Sequence, residues 1–183
     1  MYEIRPAQKD DLPHVQALVK ARLRTLELRG VARGMLTLTD AERAASELVV
    51  MTWDAQVVGA VTLIAHMPHR GWTVREAAQP AFEVAFMVTD PGPGSVVLGW
   101  LLTRWAADLA ARTGHVFIRA RVPSSRLAEH FHTSLGWEHV RPVRNGSGSV
   151  HSLMQHPAVR SLALPVTEVE RFTLFPAECP VRD

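Results

Sequence analysis

Glu83 is the carboxyl group of this sequence with the most unusual surroundings. It interrupts residues 81–88, an otherwise apolar run that predicts a strand buried on both faces. Burial disfavours the charged form of a carboxyl group, so it raises the pKa toward the range in which a base works near neutral pH. The alternative is that Glu83 points outward or pairs with an arginine such as Arg119 on the next strand. Its environment therefore decides between proton transfer and a structural ion pair.

His130 and His132 are a second group of titratable side chains, within one turn of a predicted helix. An imidazole has an unperturbed pKa near 6.5, so its charge changes close to neutral pH. Two histidines in one turn also raise the question of a metal site. Residues two positions apart do not share a helix face, so this pair is a poor chelate and no metal is predicted.

The elements that would position these residues follow from apolar spacing and from capping and turn residues. The predicted strands are residues 2–5, 47–53, 56–66, 81–88, 116–122, 137–143 and 149–154. The predicted helices are residues 12–23, 41–48, 97–112 and 125–135. Asp54 and Ala55 would turn a hairpin, and Ser124 and Gly136 would cap the last helix. The strand–helix–strand crossover requires a parallel neighbour, so the predicted sheet is mixed but mostly antiparallel.

Length and composition predict one domain, residues 1–157, followed by a C-terminal extension, residues 158–183. The chain has 183 residues, 47% of them hydrophobic and 21% charged, which is enough for one full core and short for two. The extension carries apolar residues such as Leu162, Leu164 and Phe172. It is therefore expected to pack onto the domain or onto a partner.

The charge pattern and the single cysteine restrict the partners and the compartment. The net charge is +2 with acidic and basic residues interspersed, which argues against nucleic acid as a partner. The lone Cys179 has no internal disulfide partner, and no apolar run reaches the ~20 residues of a membrane span. Polar sequence follows Met1 where a signal peptide would be apolar. These features predict a soluble cytoplasmic protein without a membrane contact.

Residues 88–136 resemble the GCN5-related N-acetyltransferases, the GNAT superfamily. In that family a strand leads into a pyrophosphate-binding turn and a long helix, and after a second strand another helix ends in Tyr-x-x-x-Gly-Phe. Here the corresponding ending is His132, Thr133, Ser134, Leu135, Gly136, Trp137. The resemblance implies an α/β (α+β) fold, with a mixed sheet of about seven strands, about four flanking helices, and the fourth and fifth strands splayed apart.

The resemblance also implies how an acyl donor would bind. Backbone groups of the fourth strand would hold the pantetheine arm, and helix N-terminal amides would receive phosphate. The family's Arg/Gln-x-x-Gly-x-Gly/Ala turn is not preserved, because its three motif positions fall on Pro93, Val96 and Leu98, and no cation replaces the arginine. The donor-binding residues so predicted are Met87, Val88, Gly94, Ser95, Val96, Val97, Leu98 and Ser125, the last in place of an asparagine that contacts pantetheine.

The family's catalytic roles transfer to two residues. Glu83 would be the general base, and His132 stands where the family has a tyrosine that protonates the departing thiolate. Only roughly a quarter of an ordinary imidazole is protonated at pH 7, so the rate with His132 as the acid should fall early as the pH rises. The alternative is that His132 merely faces solvent. Acceptors in the family meet two loops, here residues 24–39 and 67–80, from which Arg29, Arg33, Trp72 and Arg75 are predicted to bind substrate.

These features predict an acyltransferase that moves an acetyl or other acyl group to an amine of a small molecule. The donor would be acetyl-CoA or another acyl-CoA. One alternative is the phosphopantetheine of an acyl carrier protein, which has a single phosphodiester and needs no pyrophosphate site. Another is that residues 91–95 form only a strand-to-helix turn with no ligand. A third is a binding protein that has lost catalysis and keeps the pocket as a sensor or scaffold. The resemblance leaves a homodimer open.

Overall fold

The structure, a computed structural model, describes residues 1–26, 46–65, 71–144, 146, 148–169 and 172. Its strands are β1 Tyr2–Pro6, β2 Ser46–Trp53, β3 Gln56–Ile64, β4 Ala81–Thr89, β5 Phe117–Val122, β6 Glu138–Arg144, β7 Val150–Pro157 and β8 Val166–Glu168. Its helices are α1 Leu12–Leu26, α2 Val74–Ala77, α3 Ser95–Arg112 and α4 Ser125–Leu135, with a 3-10 turn at Lys9–Asp11. Within the described ranges, no helix combines the length and apolarity needed to cross a membrane.

The strands found in the described ranges form one eight-stranded sheet in the order β6-β7-β5-β4-β3-β2-β1-β8. Most neighbours are antiparallel, while β4 with β5 and β1 with β8 are parallel. The β2–β3 hairpin turns at Asp54 and Ala55, both with positive φ, as the sequence predicted. The mixed, mostly antiparallel α/β sheet is confirmed, with one strand more than expected.

Helices cover both faces of the sheet. Successive residues of a strand point to opposite faces, so the neighbours of each residue show which helix lies on its face. Val49 and Met51 of β2 belong to the larger core cluster, which α3 and α4 complete. Val50 between them belongs to a smaller cluster with Val15 and Val19 of α1. This alternation places α1 on one face and α3 with α4 on the other.

Local signals set the ends of α4. The Ser124 hydroxyl accepts the Leu127 N–H at 3.2 Å, and Gly136 adopts φ 77° at the C-cap. Such a left-handed residue ends a helix at little cost only when it lacks a side chain. The predicted bounds of this helix and both of its caps are confirmed.

Two expected elements differ in the structure. The predicted helix over residues 41–48 was wrong at its end, because β2 begins at Ser46; residues 41–45 lie outside the described residues. The loop over residues 67–80 contains the short helix α2, which starts at a capping box between Thr73 and Glu76. The sequence pattern Thr-x-x-Glu carries that signal, and the prediction overlooked it.

The described part of the C-terminal extension packs on the domain. Strand β8 pairs with β1. Glu168 accepts a hydrogen bond from Trp105 Nε1 at 2.7 Å and forms an ion pair with Arg112. Phe172 is buried against Trp105, with ring centroids 5.2 Å apart. These contacts attach the extension to α3.

Candidate active site

The central feature of the site is the separation of β4 from β5. The two strands pair at only three positions, from Ala81 opposite Phe117 to Glu83 opposite Arg119. Beyond Glu83, residues 84–89 of β4 pair with β3, while β5 continues beside β7. The predicted splay is therefore confirmed, and backbone groups on the β5-facing edge of residues 84–89 have no partner among the described strands.

A bulge in β4 accompanies this separation. Neighbouring β3 residues Thr62 and Leu63 oppose Phe86 and Val84, so Ala85 is an extra residue in β4. A bulge bends its strand and increases the local twist, and it commonly lies beside binding sites. Here it turns the second half of β4 away from β5.

A cavity of about 300 Å³ opens beside this part of β4. Its walls come from α1, β4, α3 and α4. The described lining residues are Val19, Arg22, Leu23, Phe86, Met87, Val88, Thr89, Ser95, Gly99, Ser124, Arg126, Leu127, His130, Phe131 and Leu135. They include two arginines and a histidine but no carboxylate. The cavity is thus apolar with a basic edge, as suits a ligand that has an apolar arm and an anionic end.

Arg22 lies at the end of β4. Its Nη2 donates to the Thr89 hydroxyl at 2.5 Å and lies 3.4 Å from the Asp90 carbonyl oxygen. Burial lowers the pKa of this guanidinium, and the negative charge of Asp90 opposes that effect in part. Among the described residues, no carboxylate forms an ion pair with Arg22.

His130 lines the cavity, whereas the described lining does not include His132. Burial lowers the pKa of His130, and the positive charge of Arg22 lowers it further. The exposed His132 has its Nδ1 2.8 Å from the Trp137 carbonyl oxygen, so that nitrogen carries the proton and donates it. The structure therefore places the imidazole that the sequence selected outside the cavity, and its neighbour inside.

Glu83 is 4% exposed and pairs with Arg121, whose Nε donates to Oε1 at 3.2 Å. An ion pair was one of the two predicted environments, with a different arginine. Arg119 is fully buried and donates instead to the Glu76 carbonyl and the Gln79 side chain, both at 2.7 Å. Glu83 lies where the two strands begin to separate, and it is not among the described lining residues of the cavity.

The turn between β4 and α3 uses several of its own donors. Gly92 N–H donates to Asp90 Oδ1 at 2.8 Å, and Ser95 N–H donates to the Gly92 carbonyl at 3.0 Å. Pro93 has no N–H at all. In α3, the amides of Val96 and Val97 have no carbonyl partner within the helix.

Three of the predicted donor-binding residues, Met87, Val88 and Ser95, line the cavity. The others do not: Gly94 precedes α3, Val96 and Val97 are exposed, Leu98 is buried in the core, and Ser125 is exposed. The hydroxyl that faces the cavity belongs to Ser124, the helix cap.

On the acceptor side, Trp72 is 6% exposed and the Arg119 guanidinium lies 4.4 Å from its ring centroid, so the ring packs within the protein. Arg75 is exposed on α2, away from the cavity lining. Arg29 and Arg33 lie outside the described residues. Of these four residues, the two that the structure describes, Trp72 and Arg75, do not line the cavity.

Sequence reasoning overlooked Arg22, Gly99, Arg126 and His130. A signal for Arg22 exists, because it continues the apolar stripe of Val15, Leu18 and Val19 at helical spacing. A cation on the buried face of a helix requires a partner. Nothing comparable in the sequence marks Arg126.

The architecture is shared with solved acetyltransferase structures. A probable acetyltransferase from Staphylococcus epidermidis aligns with 87% of this chain and 100% of its own, at 16% identity and TM-score 0.59. The ribosomal-protein-S18-alanine N-acetyltransferase of Escherichia coli aligns with 88% and 96%, at 14% identity and TM-score 0.56. A GNAT superfamily phosphinothricin acetyltransferase from Sinorhizobium meliloti, solved with acetyl-CoA, aligns with 86% and 88%, at 19% identity and TM-score 0.56. No family model and no curated protein matches the sequence. The resemblance seen in the sequence is thus confirmed for the fold.

Proposed function

We propose that this chain, which has the GNAT fold, is an acyltransferase that moves an acetyl or other acyl group from a pantetheine thioester to an amine of a small molecule. The observation that carries the proposal is the open edge of β4 beyond Glu83, next to a cavity of about 300 Å³. Unpaired strand groups can hold the amides of a pantetheine arm much as a neighbouring strand would. Acetyl-CoA is the first donor to test.

The reaction requires an acyl carbonyl near a neutral amine. The amine nitrogen attacks the carbonyl carbon, the carbon–sulfur bond breaks, the nitrogen loses one proton and the thiolate gains one. Backbone at Met87 and Val88, which line the cavity, would hold the arm, and an N–H from that open edge would stabilise negative charge on the carbonyl oxygen. No other activation of the thioester is needed in this scheme.

We assign the proton transfer to His130. Its lowered pKa leaves the ring neutral at pH 7, ready to accept the amine proton. Once protonated, a ring with a lowered pKa is a stronger acid than an ordinary imidazolium, so it gives the proton readily to the thiolate. Glu83 stays the candidate for a base that acts through water, from its position where the strands diverge. His132, predicted as the acid, stays a candidate that must be tested beside His130.

A carrier-protein-bound phosphopantetheine is the second donor candidate. The turn before α3 favours it, since Pro93 lacks an N–H and the Asp90 carboxylate occupies the Gly92 amide. A pyrophosphate would find fewer donors there than the family's turn supplies. The single phosphodiester of a carrier-bound arm requires fewer hydrogen-bond donors than a pyrophosphate.

Donor binding and thiol release test the proposal together. Saturation at about 100 times the Kd should add roughly 2.7 kcal/mol to the free energy of unfolding. Thiol release is then followed with a panel of amines that includes phosphinothricin, an alanyl peptide, a polyamine and an amino sugar. Binding without transfer to any amine would favour a ligand-binding protein that lacks catalysis. If neither acetyl-CoA nor an acylated carrier protein binds, the proposed function is wrong.

A further inference from the structure

We propose that Arg22 of α1 and Arg126 of α4 form a phosphate clamp at the edge of the cavity, in place of the cation that the turn before α3 lacks. The ligand is the phosphate that ends a pantetheine arm, whether in coenzyme A or on a carrier protein. This inference rests on the proposed function, because the clamp serves the acyl donor of that reaction. It assigns donor binding to residues outside the turn.

The described contacts of Arg22 do not neutralise its charge, which favours binding of an anion. The residue lies on the core-facing stripe of α1, and its side chain reaches the end of β4, where it meets two neutral acceptors, the Thr89 hydroxyl and the Asp90 carbonyl. A half-buried cation without an ion pair is costly unless a negative ligand compensates. Both described contacts use Nη2, so the Nε and Nη1 hydrogens are available to a phosphate.

Arg126 supplies a second cation from another wall of the cavity, α4. It is the second residue of α4, lines the same cavity as Arg22, and is exposed. Within the described part of the chain it has no ion-pair partner. Two arginines from two different helices, in a described lining without a carboxylate, make a site for a phosphate oxyanion.

The Asp90 carboxylate acts on Arg22 by its charge, but it already has a hydrogen-bond partner. Its Oδ1 accepts the Gly92 N–H at 2.8 Å, so it stabilises the turn. Its negative charge nevertheless acts on Arg22, so the phosphate should contact the guanidinium away from this carboxylate. A pantetheine arm lying along Met87 and Val88 runs toward Thr89, so its phosphate arrives beside Arg22.

The test compares donors that differ in their phosphates. Coenzyme A, 4′-phosphopantetheine, pantetheine and a holo-carrier protein are titrated by calorimetry into the wild type and into Arg22→Gln, Arg126→Gln and Arg144→Gln. Arg144 is an arginine of β6, outside the lining, and serves as the matched control. We expect Arg22→Gln to weaken binding of the phosphorylated ligands by about tenfold or more, with pantetheine unchanged. Arg126→Gln should also weaken binding of the phosphorylated ligands, and Arg144→Gln should leave their affinity unchanged.

The outcomes separate this inference from the proposed function. If the wild type binds coenzyme A and both cavity variants bind it equally well, the clamp is wrong and the function stands. If the wild type binds none of the four ligands, both are wrong. Loss of affinity for the holo-carrier alone, or for coenzyme A alone, identifies the source of the phosphate and supports the clamp. Should Arg22→Gln not fold, the exposed Arg126→Gln decides by the same criterion.

Discussion

Glu76 connects α2 to the rest of the domain, and its substitution makes a quantitative test of the structure. Its carboxylate accepts hydrogen bonds from Arg141 Nη1 at 2.7 Å and Nη2 at 2.5 Å, and from the Thr73 backbone N–H at 2.8 Å. These bonds, led by those from Arg141, lower the pKa of Glu76 from 4.5 to about 2. We expect Glu76→Gln to lose the charge-assisted part of this network.

The size of the effect follows from the pKa. A value of about 2 instead of 4.5 corresponds to at most about 3.4 kcal/mol in favour of the folded carboxylate. The Glu76 and Arg141 side chains are 24% and 33% exposed, so solvent screens part of that energy. We therefore expect Glu76→Gln to lower the free energy of unfolding by about 1.5–2 kcal/mol and the Tm by about 3–8 °C.

The direction of the pKa shift determines how the stability difference changes with pH. Because the pKa of Glu76 is lowered in the folded state, the unfolded chain takes up the proton first as the pH falls. The difference between wild type and Glu76→Gln should thus be complete above about pH 4.5 and shrink as the pH falls toward about 2. Urea unfolding at a series of pH values measures it, and Glu129→Gln, which removes an exposed carboxylate of α4, is the control. A cost below about 0.5 kcal/mol at pH 7, or one that does not change on acidification, would refute the reasoning.

Three further predictions concern the cavity and the core. His130→Gln should lower turnover by about 10²–10⁴ while His132→Gln changes it little, as steady-state kinetics of the pair would show, and the reverse result would make His132 the proton carrier. With His130 as the base, turnover should be lost as the pH falls through its lowered pKa, whereas an imidazolium acid would lose activity as the pH rises. Gly99→Ala should stabilise α3 by about 0.5 kcal/mol in urea unfolding, because a helix gain of about 0.8–1 kcal/mol outweighs a Cβ contact of 3.3 Å with Leu135; a net loss would mean that Leu135 cannot move. Burial lowers the pKa of His156, so the free energy of unfolding should fall as the pH drops below 6.5. This pH dependence should be weaker in His156→Gln, and an unchanged dependence would contradict the prediction.

The sequence determined the parts of this fold that depend on neighbours along the chain. The bounds and caps of α4 follow from Ser124 and Gly136, because capping is decided within four residues. The Asp54–Ala55 hairpin and the apolar strand β4 follow likewise from local pattern. The separation of β4 from β5 was expected only from the resemblance, and strand pairing confirms it.

The choice of polar partners depended on tertiary structure. Arg119 and Arg121 are two apart on β5 and share a face, so nothing local tells which one meets Glu83. Arg119 is bound to the α2 segment by Trp72 and Gln79, about forty residues away, which leaves Arg121 for Glu83.

Most of the residues that line the cavity likewise could not be predicted from the sequence. Arg22 reaches Thr89 across 67 positions of the chain, and His130 rather than His132 faces inward because the rotation of α4 is set by packing of Phe131 and Leu135. Periodicity tells which residues of a helix share a face. Only the packing of one element on another tells which face meets the cavity.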